Sequence, residues 1–359
     1  MIGSHFCTIK NRKLFFLKTG KGAPIVLLHP SPSSSKSMIP FIKELATHFT
    51  VIAIDTPGYG ASDLMPQKPK SIKAYCKYLQ PFFKKMGLKK FAIYGSATGA
   101  QIAIRYGLEF PKQVSHLYLD NAAHFSDKTR DEILKSYFPD ISPKYDGSHL
   151  MTIWTMVHDL FVFFPWCFSD EKYRVKKSFP PNFVLHQIAL EYMLAGKNYD
   201  LAYRAAFEHE KAVCVQRLKS PTTLFHWHGS IVKPYIEALV AFDLPNNVQE
   251  VEIPVDPSSR FSLMKQKIVY TYQSGETNFR LNSQGIEVKK DTPKEKIAID
   301  LPKLIPDDSG AYLIKAWQHL RDRQLFTIFD EKTADNISQT PFNLNADFLQ
   351  KQLIRWMQQ

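Results

Sequence analysis

The stretch Phe91–Gly107, FAIYGSATGAQIAIRYG, is laid out for chemistry on an acyl group. Phe91–Tyr94 reads as a short buried strand, and Ala100–Tyr106 is apolar at helical spacing. Between them lies Gly95-Ser96-Ala97-Thr98-Gly99, the G-x-Nu-x-G spacing of a strained strand-to-helix turn that pushes one side chain outward. The two glycines are needed because such a turn leaves no room for Cβ atoms beside the exposed residue. They fix the register and put Ala97 at the tip. Attack on a carbonyl there needs a hydroxyl or thiol, an imidazole to take its proton, a carboxylate to orient the imidazole, and backbone N–H groups to hold the oxyanion. An alanine methyl can do none of this.

The elements around the turn alternate. A hairpin with second strand Lys13–Lys18 precedes the apolar strand Ile25–Leu28, which runs into His29-Pro30-Ser31-Pro32-Ser33-Ser34-Ser35. Met38–His48 reads as a helix, Val51–Ile54 as a buried strand ending in DTPGYGASD, and Ser71–Met86 as an amphipathic helix. After the turn comes the strand Val114–Leu119, followed by Asp120-Asn121. Continuous apolar strands alternating with helices mean a parallel sheet covered on both faces.

Residues 8–123 resemble the N-terminal half of the α/β-hydrolase superfamily. Three motifs in the family's order carry the resemblance: IVLLHPSPSSS as strand plus oxyanion loop, DTPGYGASD as the D-x-P-G-x-G-x-S turn, and GSATGAQIAI as the nucleophile elbow. HPSPSSS with G-x-x-T-G-A is similar to a bacterial subgroup whose elbow is degenerate. The resemblance implies an α/β fold with a mostly parallel eight-stranded sheet, helices on both faces, and a helical lid over a pocket after the sixth strand. The implied core is residues 1–123, 218–255 and 340–359, with the lid at 124–217. Pro221–Trp227 and Val248–Ile253 read as the last two strands. Asp146–Phe164, Val184–Ala195 and Leu201–Cys214 read as lid helices. Residues 256–339 read as a β insertion, with β-like runs at Ile268–Tyr272, Asn278–Leu281 and Ile286–Lys289, followed by a second lid-like helix, Gly310–Phe329. Asn345–Met357 reads as a closing helix. Gly147, Leu150, Trp154, Asp159 and Phe163 recur at constant offset as Gly310, Leu313, Trp317, Asp322 and Phe326. Partial duplication and chance likeness of two aromatic helices are both open.

The family's chemistry can be tested position by position. The nucleophile place holds Ala97. Ser96 has Tyr94 and Thr98 two places either side, and Thr98 points toward the helix in the family register, so neither hydroxyl is well set. After Gly229 come Ser230, Ile231 and Val232, with no carboxylate. Asp120, after the sixth strand, is the best acid, though an Asp there also serves as a turn or cap residue. After Ile253-Pro254 come Val255, Asp256, Pro257, Ser258 and Ser259, with no histidine. Three losses argue for a natural departure rather than a single engineered one. Losing the Ser or His of such a triad costs on the order of 10⁶-fold in turnover, leaving roughly 10³–10⁴ over water.

The backbone apparatus survives side-chain drift. Its donors would be the N–H of Thr98 and that of Ser31 or Ser33, since Pro30 and Pro32 have none; such a pair can bind a carbonyl or carboxylate. His29 at the pocket mouth either braces the oxyanion loop or takes part in catalysis. His226 and His228 flank Trp227 and share one side of a strand, facing either the cleft or the helices. As a pair they could hold a metal, but no third ligand is evident, and no metal or cofactor is expected. His124, His149 and His158 lie in or beside the lid. Trp154, Phe161, Phe163, Phe164, Trp166 and Phe168 either pack the lid on the sheet or line an apolar ligand pocket.

Composition sets the wider frame. The 359 residues are 44% hydrophobic, enough for a sizeable interior, with net charge +12. The lysines are scattered in short pairs, which reads as a solvated basic surface rather than a nucleic-acid or lipid site. Cys7, Cys76, Cys167 and Cys214 form no CxxC pair and read as free thiols of a cytoplasmic protein. The N-terminus lacks a signal-peptide pattern, and the longest apolar run, Leu160–Phe168, is too short to span a bilayer. The sequence leaves oligomeric state open. Two functions remain: a non-hydrolytic or very weakly active binder of an apolar carbonyl or carboxylate compound, and a hydrolase acting on an ester or other acyl substrate through unconventional residues. A protein-interaction module has only the chain's length behind it.

Overall fold

The computed structural model describes residues 2–175 and 179–273. The strands β1 (Gly3–Ile9) and β2 (Arg12–Thr19) form the antiparallel hairpin, turning through Lys10 and Asn11, both at positive φ. The strands β3 (Ala23–Leu28), β4 (Phe49–Ile54), β5 (Phe91–Ser96), β6 (Val114–Asp120), β7 (Thr222–Trp227) and β8 (Val248–Ile253) run parallel to one another. The sheet order is β1-β2-β4-β3-β5-β6-β7-β8. Strand β5 is central, so the turn at its end is supported from both sides.

Both sheet faces are buried, as the unbroken apolar strands require. On one face α2 (Ile72–Lys85), α3 (Thr98–Glu109) and α9 (Lys233–Val240) pack Phe82, Ile102 and Ile236 against Ile52, Ile93 and Leu119. On the other, α1 (Ile39–Leu45) and α10 (Pro257–Gln273) pack Phe41, Met264 and Ile268 against Leu27, Ala53 and Phe225. Each such side chain contributes about 1.5–3 kcal/mol on burial.

Helix α10 corrects the expectation of a β insertion from residue 256. The run Ile268–Tyr272, rich in β-branched and aromatic residues, is helical. Pro257 has the backbone angle a first helical turn needs, and the Asp256 carboxylate accepts from Ser259 N–H at 3.2 Å, as an N-cap does. Phe261, Met264, Ile268 and Tyr272 then recur at helical spacing and pack on α1 and the sheet, with Phe261 stacked on Phe41 at 5.0 Å. Burial along one stripe outweighs local β propensity. Helix α10 thus follows β8 directly, and the closing helix read at Asn345–Met357 lies outside the described residues. The other elements read into 274–359, with the 340–359 part of the core and the repeat of the lid element, lie outside the described residues.

Between β6 and β7 the chain forms α4 (Asp127–Ser136), α5 (Ser148–Asp159), α6 (Asn182–Ala195), α7 (Asp200–His209) and α8 (Ala212–Gln216). The expected helix over 201–214 is two, parted at Glu210 and Lys211. Helices α4 and α9 are additions. This insertion has apolar clusters of its own: Ile153, Val157, Leu185 and Tyr192 in one, Phe125, Tyr137, Phe164 and Phe207 in another.

The DTPGYGASD loop is tied by one buried side chain. Asp55 accepts from Ser35 N–H at 2.7 Å and from Ala61 N–H at 2.6 Å, so it locks two loops together. Gly60 sits at φ +55°, and a Cβ there would fall 2.0 Å from the Asp55 carboxylate. Asp55 therefore positions the loop that carries Ser31.

Candidate active site

Ala97 occupies the bend between β5 and α3 with φ 48° and ψ −111°, in the left-handed region that disfavours residues with a Cβ. Such a conformation costs on the order of 1–3 kcal/mol and persists only where its surroundings hold it. Here Ala97 N–H donates to Asp120 O at 2.9 Å. A Cβ on Gly95 would lie 2.2 Å from Gly99 O, and one on Gly99 would lie 2.1 Å from Leu28 O. The bend keeps the strained geometry of a nucleophile elbow and carries a methyl at its tip. Thr98 begins α3, so its N–H has no intrahelical acceptor and stands at the helix's positive end.

Ser31 and Ser33 both line the cavity above Ala97. Ser33 N–H, however, donates to Pro30 O at 3.0 Å and closes the loop's own turn. The Ser33 N–H is thus engaged within its own loop.

Asp120 is fully buried at the end of β6. Its Oδ2 accepts from Tyr94 Oη at 2.7 Å, from Ser96 Oγ at 2.9 Å and from Arg260 Nη2. Arg260 comes from the first turn of α10 and lies between Trp227 and Phe261, its guanidinium 4.1 Å from the Trp227 ring centre. Burial works against the guanidinium's charge, but Asp120 and Tyr94 outweigh it and hold its pKa above the ordinary arginine value. Asn121 donates to Ser96 Oγ at 3.3 Å and accepts from Ser230 Oγ at 2.6 Å. Ser96 and Asp120 thus meet, in a network with Arg260, Asn121 and Ser230 that the sequence alone does not mark.

Both ring nitrogens of His29 are engaged by backbone groups. The residue is buried, its Nδ1 meets Pro30 O at 2.8 Å, and its Nε2 accepts from Thr56 N–H at 2.9 Å. With Nε2 accepting, Nδ1 carries the proton and the ring is neutral; burial lowers its pKa, with Asp55 and the Pro30 carbonyl working against that. The ring braces two loops. His226 and His228 do not line the cavity either: they stack on each other at 4.7 Å and face Glu250 and Glu252 of β8. Trp154 packs in the α5–α6 cluster against His186. His124 and His149 accept backbone N–H groups, and His158 pairs with Asp159. Among the described residues no histidine lines the cavity.

The cavity between the sheet end and the helical insertion has a volume of about 460 Å³. Its walls are mainly apolar, with Phe41, Phe125, Phe161, Phe164, Ile188 and Phe207 among them, so part of the aromatic cluster lines it as one reading held. Glu210, just after α7, is an acidic wall residue alongside Asp120 and Glu191. The Gln101 side-chain amide donates to its carboxyl at 3.4 Å. Burial pushes the Glu210 carboxyl well above the usual carboxylate range, and the Gln101 amide opposes this only in part.

Sheet order, elbow and the crevice at the strands' C-terminal ends together decide the architecture, and residues 23–142 match the family described as α/β hydrolase fold. The chain has the α/β-hydrolase fold. A thermophilic esterase from Thermogutta terrifontis, solved with malate bound, superposes on this α/β-hydrolase-fold chain with TM-score 0.56 at 18% identity, covering 77% of this chain and all of that one. A similarity this distant speaks for the fold alone. An uncharacterised protein of Mycobacterium tuberculosis is 30% identical over 117 residues, 33% of this chain and 34% of its own. An uncharacterised hydrolase of Saccharomyces cerevisiae is 28% identical over 131 residues, 35% of this chain and 45% of its own. The match thus spans less than half the length of these curated relatives. Among the described residues no helix is long and apolar enough to cross a membrane.

Proposed function

We propose that this α/β-hydrolase-fold chain is a non-hydrolytic, or at most very weakly active, binder of a small apolar molecule with a carbonyl or carboxyl head. The observation that carries the reading is Arg260. A guanidinium, which stays protonated in proteins, stands beside the elbow where an imidazole would have to accept a proton. With a methyl at Ala97, neither partner of a nucleophile–base pair is present. The cavity's volume and apolar walls fit a small-molecule site. The N–H groups of Thr98 and Ser31 suit a head-group oxygen, and Arg260 Nε, buried without a partner, adds a donor. The Asp120–Arg260 pair is neutral overall, so the floor receives a head group through directed N–H bonds rather than net charge. The α4–α8 insertion acts as the lid. Free thiols at Cys7, Cys76, Cys167 and Cys214 support a reducing, cytoplasmic setting.

The test is binding of cis-parinaric acid, a fluorescent long-chain carboxylate, to the full chain. Saturable binding that Arg260→Met weakens supports the reading; absence of saturable binding by this acid and by its methyl ester contradicts it. One observation favours a second reading, an unconventional hydrolase. Ser96 Oγ lies 2.9 Å from a buried carboxylate oxygen at the cavity edge. Covalent labelling of Ser96 by a fluorophosphonate would establish it.

A further inference from the structure

We propose that His226, His228 and Glu252 form a binding site for a divalent transition-metal ion of the zinc class at the edge of the sheet. This site is separate from the cavity and does not depend on how the cavity is read. One ligand atom from each of the three residues lies within 4.8 Å of the others. Four-coordinate zinc with bonds near 2.0–2.1 Å needs ligand atoms roughly 3.3 Å apart, a contraction that side-chain rotation supplies. The side chains of His228 and Glu252 are 34% and 73% exposed, so both are free to make it.

The backbone explains why the residues meet. In the parallel ladder of β7 and β8, Leu224 is opposite Glu250 and His226 is opposite Glu252. His228 N–H donates to Ile253 O at 2.9 Å and carries the pairing one step past the strand. Alternation then puts His226 and His228 on one sheet face with Glu250 and Glu252, while Phe225 and Trp227 turn to the other. The third ligand is invisible along β7 because it lies on the neighbouring strand.

A second observation points to a ligand. His226 has a side chain only 6% exposed, and its Nδ1 meets Glu250 Oε1 at 2.6 Å. Its other ring nitrogen, Nε2, is buried with no hydrogen-bond partner. A carboxylate holding one nitrogen of an imidazole while the other is left open is the arrangement that orients histidine toward a metal. Two imidazoles and one carboxylate, with no thiolate, suit Zn²⁺, Co²⁺ or Ni²⁺ better than the oxygen-seeking Ca²⁺ or Mg²⁺. Three protein ligands at an exposed edge leave the remaining position to water.

The experiment uses the untagged full chain, stripped with EDTA and desalted. Zn²⁺ is titrated by calorimetry and Co²⁺ by visible absorption. One equivalent should bind, with a Co²⁺ band in the visible. His228→Ala and Glu252→Gln, both at exposed positions, should lose the band while keeping the wild-type circular dichroism. Glu250→Gln should weaken binding by about 10–100-fold. His158→Ala, in the helical insertion, should bind as wild type. No saturable binding, or binding unchanged in both His228→Ala and Glu252→Gln, overturns the proposal.

Discussion

Arg260 donates through Nη2 to Asp120 Oδ2, joining helix α10 to the end of the sixth strand directly beside the elbow. The carboxylate is fully buried and also takes the Tyr94 and Ser96 hydroxyls, so Arg260 is its one charged partner among the described residues. Removing the guanidinium strands a negative charge. Arg260→Ala should cost about 3–5 kcal/mol, whereas Asp120→Asn with Arg260→Met should recover most of it. Urea unfolding of the single and double variants checks this. Additive losses would contradict the pairing.

The strain at Ala97 gives a second expectation. Glycine adopts φ near 48° without steric cost, so Ala97→Gly should stabilise the fold by about 1 kcal/mol after its entropy in the unfolded chain is counted. The readout is the shift in urea midpoint at unchanged slope. A destabilised Ala97→Gly would mean that the bend is not strained.

Filling the cavity should block ligand without unfolding the chain. Ile188 and Leu160 are only partly buried and line it. Ile188→Trp should weaken cis-parinaric acid binding at least about tenfold, a change of ~1.4 kcal/mol. Unaltered binding would move the ligand site elsewhere.

Stability should fall as pH rises above the ordinary carboxylate range and as it drops below the ordinary imidazole value, for opposite reasons. Burial raises the Glu210 carboxyl, so above the ordinary carboxylate value the folded chain keeps a proton that the unfolded chain has released, and stability falls as pH rises through that window. Burial lowers His29, His116 to about 3 and His209 to about 4. As pH drops below the ordinary imidazole value of 6.5, the unfolded chain takes up protons that these buried rings refuse, so stability falls there too. Urea midpoints across pH should show Glu210→Gln losing the decline with rising pH and keeping the histidine-driven decline with falling pH. Identical profiles for the variant and wild type would contradict a protonated Glu210.

The sheet was legible because strands buried on both faces are unbroken apolar runs, and Val248–Ile253 falls where it was read. The elbow was legible because Gly95 and Gly99 are sterically forced. Helix α10 was not, because Ile268–Tyr272 has β-type residues whose helical stripe shows only over the longer run from Phe261. Within the site, Ser96 and Asp120 end adjacent strands and Ala97 follows Ser96 at the bend, so strand order brings them together. Arg260 and Glu210 reach the cavity from separate elements, and nothing local in sequence marks a charged residue as pointing inward. His29 and Ser33 show the converse: their types suit catalysis, but backbone bonds absorb them. Glu252 joins His226 and His228 only through register.

The account rests on the absence of a working nucleophile and base at the elbow, and the most direct measurement is p-nitrophenyl acyl ester hydrolysis with fluorophosphonate labelling, on the wild type and on Ala97→Ser. Neither protein should turn over ester beyond the residual rate that backbone donors alone provide, and the wild type should carry no adduct, because Ala97→Ser restores a hydroxyl without an imidazole to deprotonate it. Saturable turnover by the wild type, an adduct on Ser96 or Thr98, or robust activity from Ala97→Ser alone would contradict the account.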